Sequence, residues 1–258
     1  MEAIKINYIN TTTAIVVNSS TATAEYIMRR DTSFQYISTG FNNDATTTTM
    51  RINLDSTLAV TRIVLAGMNF KKFNLYYNGV TANTFAISGG LTTTSQWLTN
   101  SETSLYIKVS SVNCTSVSLD IYSTQVANSE KALGYYVLSD LQYAFDRIPA
   151  SSGYKPILDS EQVLHKLSDG SKKIQLIDEK WNIQIKYKHL DSTMVASLRT
   201  LYNLRDGFVF APWETNTAWD ALIFPCIWEN DFDFYQYSAD AVSSGFTGSI
   251  KLSETTPA

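Results

Sequence analysis

Histidine and cysteine are scarce here, with two of each in 258 residues, and that scarcity removes most side-chain catalysis at the outset. A Ser/His/Asp or Cys/His set would have to use His165 or His189. Neither lies near a Gly-x-Ser-x-Gly elbow, and both sit in strand-like surroundings. Cys114 and Cys226 are far apart in apolar strand contexts, which reads as two buried thiols and gives neither zinc-site spacing nor a disulfide framework. Without partner cysteines the two histidines make no metal motif. A phosphate cradle is also missing, because Gly89-Gly90 is too short and opens no helix. Only 17% of residues are charged and the net charge is -4, so no basic field gathers phosphates; Arg29-Arg30, Lys71-Lys72 and Lys172-Lys173 are isolated pairs. Nucleic acid is therefore not an expected partner. No run approaches the ~18 apolar residues of a membrane span. The first residues lack the basic start and apolar stretch of an export signal, so synthesis in the cytoplasm without export is expected. Asn10, Asn18 and Asn113 open Asn-x-Ser/Thr triplets, which carry no weight without that signal.

What the chain does have is ample apolar content, 44%, enough for one large or two modest buried cores. Threonine and serine crowd the first half and tryptophan the second, which places a division near Asn128, into 1–128 and 129–258. In the first part, Ile4 to Ile9, Ala14 to Val17, Thr49 to Leu54, Thr61 to Ala66, Phe73 to Tyr77, Leu105 to Val109 and Val117 to Tyr122 are short strand candidates between polar turns. Their spacing suits an antiparallel sandwich or jelly roll. Asn78-Gly79 is a two-residue hairpin turn. Lys131 to Leu138 is a further strand candidate, and Ile148 to Pro156 reads as an irregular connection.

In the second part, Ser168-Asp-Gly170 reads as a turn between strands Gln162 to Leu167 and Lys172 to Ile177. Trp181 to His189 alternates with period two, which turns Trp181, Ile183, Ile185 and Tyr187 toward a core. One helix follows, over about 191–206. Asp191 or Ser192 can cap it, Met194, Val195, Leu198, Leu201 and Tyr202 share a face, and Gly207 suits a left-handed stop. Aromatic strand segments then run from Phe208 to Leu252, so the chain is mainly β with one helix.

Several clusters bear on function. Glu214, Asp220, Glu229, Asp231 and Asp233 interleave with Trp213, Trp219, Trp228, Phe232 and Phe234, an arrangement that in an open cleft would suit a glycosidase. Alternation of Asp231 and Asp233 with Phe232 and Phe234 instead puts the carboxylates on a solvated strand face. Asn230, Asp231 and Asp233 offer hard oxygen ligands for calcium. Tyr36, Phe41 and Trp97 are candidates for stacking on a sugar ring, or for closing one end of the sandwich. Trp213 and Trp219, on the link between strands, are candidate anchors of an oligomer interface, burial in their own domain being the alternative. No residue set calls for a cofactor.

Two stretches resemble known families. Phe41 to Leu65, followed by Phe70 to Tyr76 and Leu105 to Val109, resembles a discoidin-type, galactose-binding-like jelly roll, with a polar Asp/Asn loop leading into the strand pattern. The resemblance implies that fold, with Asn42, Asn43 and Asp44 in the loop where such modules hold calcium. Thr47 to Thr49 stand where the family has a tryptophan, so sugar binding does not come with the fold. Ser197 to Trp213, Trp219 to Pro225, Ile227 to Phe232 and Gly245 to Glu254 are similar to small virion proteins from the tails of long-tailed bacteriophages, of the tail-tube, distal-tail and baseplate-hub kind. In those a helix precedes a g-F-x-F-x-P strand and the chain ends in a G-x-x-x-l-x-E strand. That resemblance implies a β-sandwich or barrel crossed by one helix in a non-enzymatic, ring-forming subunit, trimer or hexamer. It would reside in the virion and link the tail tube to hub or receptor-binding proteins. The rival readings are a module binding host surface glycans and a glycoside hydrolase.

Overall fold

The computed structural model describes the chain except residues 11, 20–22, 30–33, 41–42, 88–94, 146–152, 167–170, 205, 213–222, 239–244 and 256–258. It is mainly β with one α-helix among the described residues. The strands are β1 (Glu2–Ile4), β2 (Ala14–Val17), β3 (Tyr36–Ile37), β4 (Thr48–Ala66), β5 (Phe70–Tyr77), β6 (Gln96–Trp97), β7 (Ser104–Thr124) and β8 (Ala132–Leu133). They continue with β9 (Tyr135–Ser139), β10 (Leu141–Ala144), β11 (Tyr154–Lys166), β12 (Lys172–Leu190), β13 (Phe208–Ala211), β14 (Phe224–Trp228), β15 (Phe234–Ser238) and β16 (Gly245–Glu254). The helix, α1, is Ser192–Tyr202. Two compact units result: Met1–Gln142 with Val209–Ile223, and Tyr143–Phe208 with Phe224–Thr256. The break falls after Gln142 and not near Asn128, because β9 registers along β4, with Ala66 opposite Tyr135 and Arg62 opposite Ser139.

The first unit is a jelly-roll sandwich whose main sheet runs β2-β4-β7-β5-β6, with β9 also on β4. Thr49 to Leu54 and Thr61 to Ala66, separate candidates in the sequence, are one strand. The register against β7 shifts between Asn53 and Leu58, and there Asp55 and Ser56 face water. Leu105 to Val109 and Val117 to Tyr122 likewise merge in β7, since a bulge carries a strand across a polar interruption. Alternation then does the sorting: Met50 and Ile52 are fully buried while Arg51 is exposed. Asn78 and Gly79 both take positive φ, 53° and 66°, the geometry of a tight hairpin turn. Pairing beyond it is reduced to a bridge between Tyr76 and Thr84.

The second unit carries a sheet ordered β14-β16-β12-β11, with β15 also on β16. Ile183, Ile185 and Tyr187 are buried as their alternation requires, and Trp181 is half-buried. The Asp191 carboxylate accepts the Met194 N–H at 2.8 Å, satisfying one of the donors left open at a helix start. α1 buries Val195, Leu198 and Leu201 and ends at Tyr202, short of the expected 206, with the Asn203 N–H bonded to Arg199 O and Leu201 O. Gly207 (φ +78°) belongs to the return into β13. A Cβ there would lie 2.7 Å from Cys226 O, so both conformation and space demand glycine. Expected as an irregular link, Tyr154 to Pro156 is the start of β11, an edge strand on which a proline is tolerated.

Candidate functional site

In the second unit β11 and β12 form a hairpin that outruns its sheet. β16 follows β12 only from Asn182, opposite Ser253, to Leu190. At that point the Glu254 carboxylate accepts the Trp181 N–H at 2.8 Å, replacing the carbonyl a continuing strand would supply. Beyond it, among the described residues, Leu158 to Lys166 pair only with Lys172 to Trp181. A ribbon of this length reaches roughly 30 Å at about 3.3 Å per residue. Every side chain from Leu158 to Lys166 is exposed, as are those of Lys172 to Gln175 and of Glu179 and Lys180. Four of these are large and apolar: Leu158, Val163, Leu164 and, at 62% exposure, Ile174. Leu164 and Ile174 are registered opposite each other. Isolated two-stranded ribbons are marginal in water, and an exposed apolar one is a pairing template. His165, too, belongs to the arm, its Nε2 lying 3.1 Å from Gln175 Oε1 across the strands.

The expected sites fare differently. Tyr36 and Trp97 are core residues, not sugar platforms. Tyr36 is fully buried with its hydroxyl 2.5 Å from Ser19 Oγ, and the Trp97 ring stacks on Phe73 at 4.6 Å. A buried ring has no face for a ligand. Phe41, Asn42, Trp213, Trp219, Glu214 and Asp220 lie outside the described residues. Asp231 and Asp233 are exposed, whereas Phe232 and Phe234 join Tyr202 and Trp228 in a half-buried aromatic cluster with ring separations of 4.9 to 6.3 Å. Asn230 uses its amide on the backbone, donating to Asp231 O and Ser249 O and accepting the Lys251 N–H at 2.6 Å. Its oxygen is therefore taken up in holding the strand. Glu229 pairs with Lys251 at 2.7 Å. Among the described residues no three His, Cys, Asp or Glu side chains converge to hold a metal ion. His189, expected to continue an alternating strand, has φ 63° at the register shift between Tyr187 and Leu190, and its Nδ1 bonds the Tyr237 hydroxyl. Cys114 and Cys226 are buried and belong to no disulfide, and burial pushes the Cys114 thiol up to about 11.

Three features of the first unit escape sequence reading. The Glu2 carboxylate is buried on β1, where it is gripped by Arg62 through Nε at 2.6 Å and Nη2 at 3.0 Å. Lys108 Nζ stands 3.2 Å away, and the Tyr106 hydroxyl donates to the same group. Burial pushes the Glu2 carboxyl up. The hydrogen bonds from Arg62 and Tyr106 and the charges of Arg62 and Lys108 outweigh that and hold it at about 2. Lys131 is fully buried, its ammonium donating to Asn43 O and Thr46 O at 2.9 Å each, so a side-chain cation organises the turn after the polar loop. Thirdly, Tyr26 and Phe34 form an edge-to-face pair at 5.4 Å on the surface, with the Arg29 guanidinium 5.4 and 5.6 Å from the two rings. The partners in these groups are widely separated in sequence or sit in turns, where no periodicity announces them.

No family model matches the sequence, and no curated protein matches it. Solved structures similar to part of it include chitosan-binding module 1 of a chitosanase/glucanase from Paenibacillus sp. IK-5, at 12% identity over 51% of this chain and 97% of that one, TM-score 0.40. Module 2 of the same enzyme, in complex with chitotriose, is 15% identical over 48% and 94%, TM-score 0.38. A carbohydrate-binding module from Clostridium perfringens, in complex with GalNAc-β-1,3-galactose, is 10% identical over 49% and 94%, TM-score 0.39. The ligands belong to those proteins.

Proposed function

We propose that this chain is a non-enzymatic structural subunit that assembles with copies of itself, of the kind that forms the tail tip or baseplate of a long-tailed bacteriophage. The observation that carries the reading is the arm of β11 and β12, about 30 Å of two-stranded ribbon with exposed Leu158, Leu164 and Ile174. Such a ribbon gains its stability from a partner, and identical subunits supply one by symmetry. The resemblance of Ser197 to Glu254 to phage tail proteins implies a partner in a closed ring, trimer or hexamer, between tail tube and hub. Glu254, the last residue of the g-x-x-x-l-x-e strand, is the group that ends the sheet at the arm's root. Sedimentation velocity of the full chain over a wide concentration range tests the reading: a discrete closed oligomer supports it, and a monomer at every concentration refutes it.

The second reading is glycan binding by the first unit. Its support is the pair of half-buried Tyr26 and exposed Phe34 with Arg29 alongside, rings and a cation of the kind that hold sugars by stacking and hydrogen bonding. A glycan array probed with the full chain and with Tyr26→Ala/Phe34→Ala decides it: retention lost in the variant supports this reading, and no retention of either removes it.

A further inference from the structure

Charge is segregated along the arm. Lys166, Lys172 and Lys173 lie at its tip, with Lys166 directly opposite Lys172 and His165 opposite Lys173. Asp159, Glu161 and Glu179 lie on its stem, where Lys180, opposite Asp159, is also exposed. All of these side chains are exposed. Like charges across a ribbon destabilise it, as Lys166 opposite Lys172 does at the tip. Leu164 and Ile174 lie just inside the tip, with Leu158 in the stem on the same face.

We infer that the arm's partner is the arm of a second copy, with the lysine tip of one seated on the acidic stem of the other. This rests on the self-assembly reading and adds to it the occupant and its register. Tip to stem is the placement that matches the charges: tip on tip sets lysines against lysines, and stem on stem sets carboxylates against carboxylates. Each of those costs association several-fold to many-fold. In the matched placement the tip's Leu164 and Ile174 meet the neighbour's ribbon beside the ionic contact, so apolar and charged contacts adjoin at one interface. Because every arm has one tip and one stem, copies can repeat the contact around a ring.

The test is a charge swap in the full chain, read by sedimentation velocity at low salt. Variant one carries Glu161→Lys and Glu179→Lys; variant two carries Lys166→Glu, Lys172→Glu and Lys173→Glu. Each alone is expected to assemble on the order of 100-fold more weakly than the natural chain. An equimolar mixture, or one chain carrying all five substitutions, is expected to recover assembly. These surface positions touch no core, and an unchanged circular-dichroism melt for each variant separates lost contact from lost fold. Assembly of the natural chain with no rescue in the mixture or the five-fold variant overturns the tip-to-stem register and leaves self-assembly standing. Undiminished assembly of both single variants overturns it as well. A natural chain that is monomeric throughout overturns both.

Discussion

Replacing Glu2 by glutamine should strip the first unit of an anchor whose size can be worked from the geometry. The carboxylate takes a two-pronged hydrogen bond from Arg62, a third from Tyr106, and stands beside Lys108, all in a site where the Glu2 side chain is 3% exposed. Its pKa of about 2, against 4.5 for an ordinary glutamate, corresponds to about 3 kcal/mol of stability at neutral pH, at about 1.4 kcal/mol per unit. Because the folded value is the lower one, that contribution is complete above pH 4.5 and drains away as pH falls toward 2. Glu2→Gln keeps the shape but leaves the Arg62 guanidinium, itself 10% exposed, without a counter-charge. Losing one partner of a buried pair costs about 3–5 kcal/mol. Urea unfolding of both proteins at a series of pH values measures the gap. It should be about 3 kcal/mol at pH 7 and shrink steadily below pH 4.5. A gap under about 1 kcal/mol at pH 7, or one that stays constant into acid, would refute the reasoning.

Lys131→Met should destabilise the first unit by about 2–4 kcal/mol, because two turn carbonyls lose a charged donor in a buried site; thermal melting reads the loss. Gly207→Ala should lower stability by more than about 1 kcal/mol in the same assay, since its φ of +78° and the 2.7 Å approach to Cys226 O admit no side chain. Asp191→Ala should cost about 1 kcal/mol through loss of the Met194 N–H bond, again by urea titration. Leu164→Asp with Ile174→Asp should abolish assembly in light scattering and leave the melting of the subunit unchanged, as both side chains face water in the single chain.

Where burial follows from one strand's own alternation, the sequence discloses the structure. Ile183, Ile185 and Tyr187 face inward as their spacing demands, and the helix face of Val195, Leu198 and Leu201 is where three- and four-residue spacing puts it. Strand length was harder to read, because Asp55 and Ser56 look like a turn and act as an interruption within β4. Tyr36 and Trp97 looked like loop aromatics because each sits in a two-residue strand, too short for a pattern, yet both are packed by residues distant in sequence. Glu2 and Arg62 are 60 positions apart, so their pairing exists only in three dimensions. The arm was legible as two strands, and the turn expected between them at Ser168 to Gly170 lies outside the described residues. Its exposure was not, since that depends on where β16 stops.

Amide hydrogen exchange across Leu158–Lys166 and Lys172–Trp181, followed from dilute to concentrated protein, probes the arm's purpose most directly. If it exists to be covered by another copy, those amides exchange fast in dilute solution and slow markedly as particles form, while Ile183 and Ile185 stay protected throughout. Arm amides that exchange at one rate whatever the concentration would contradict the account.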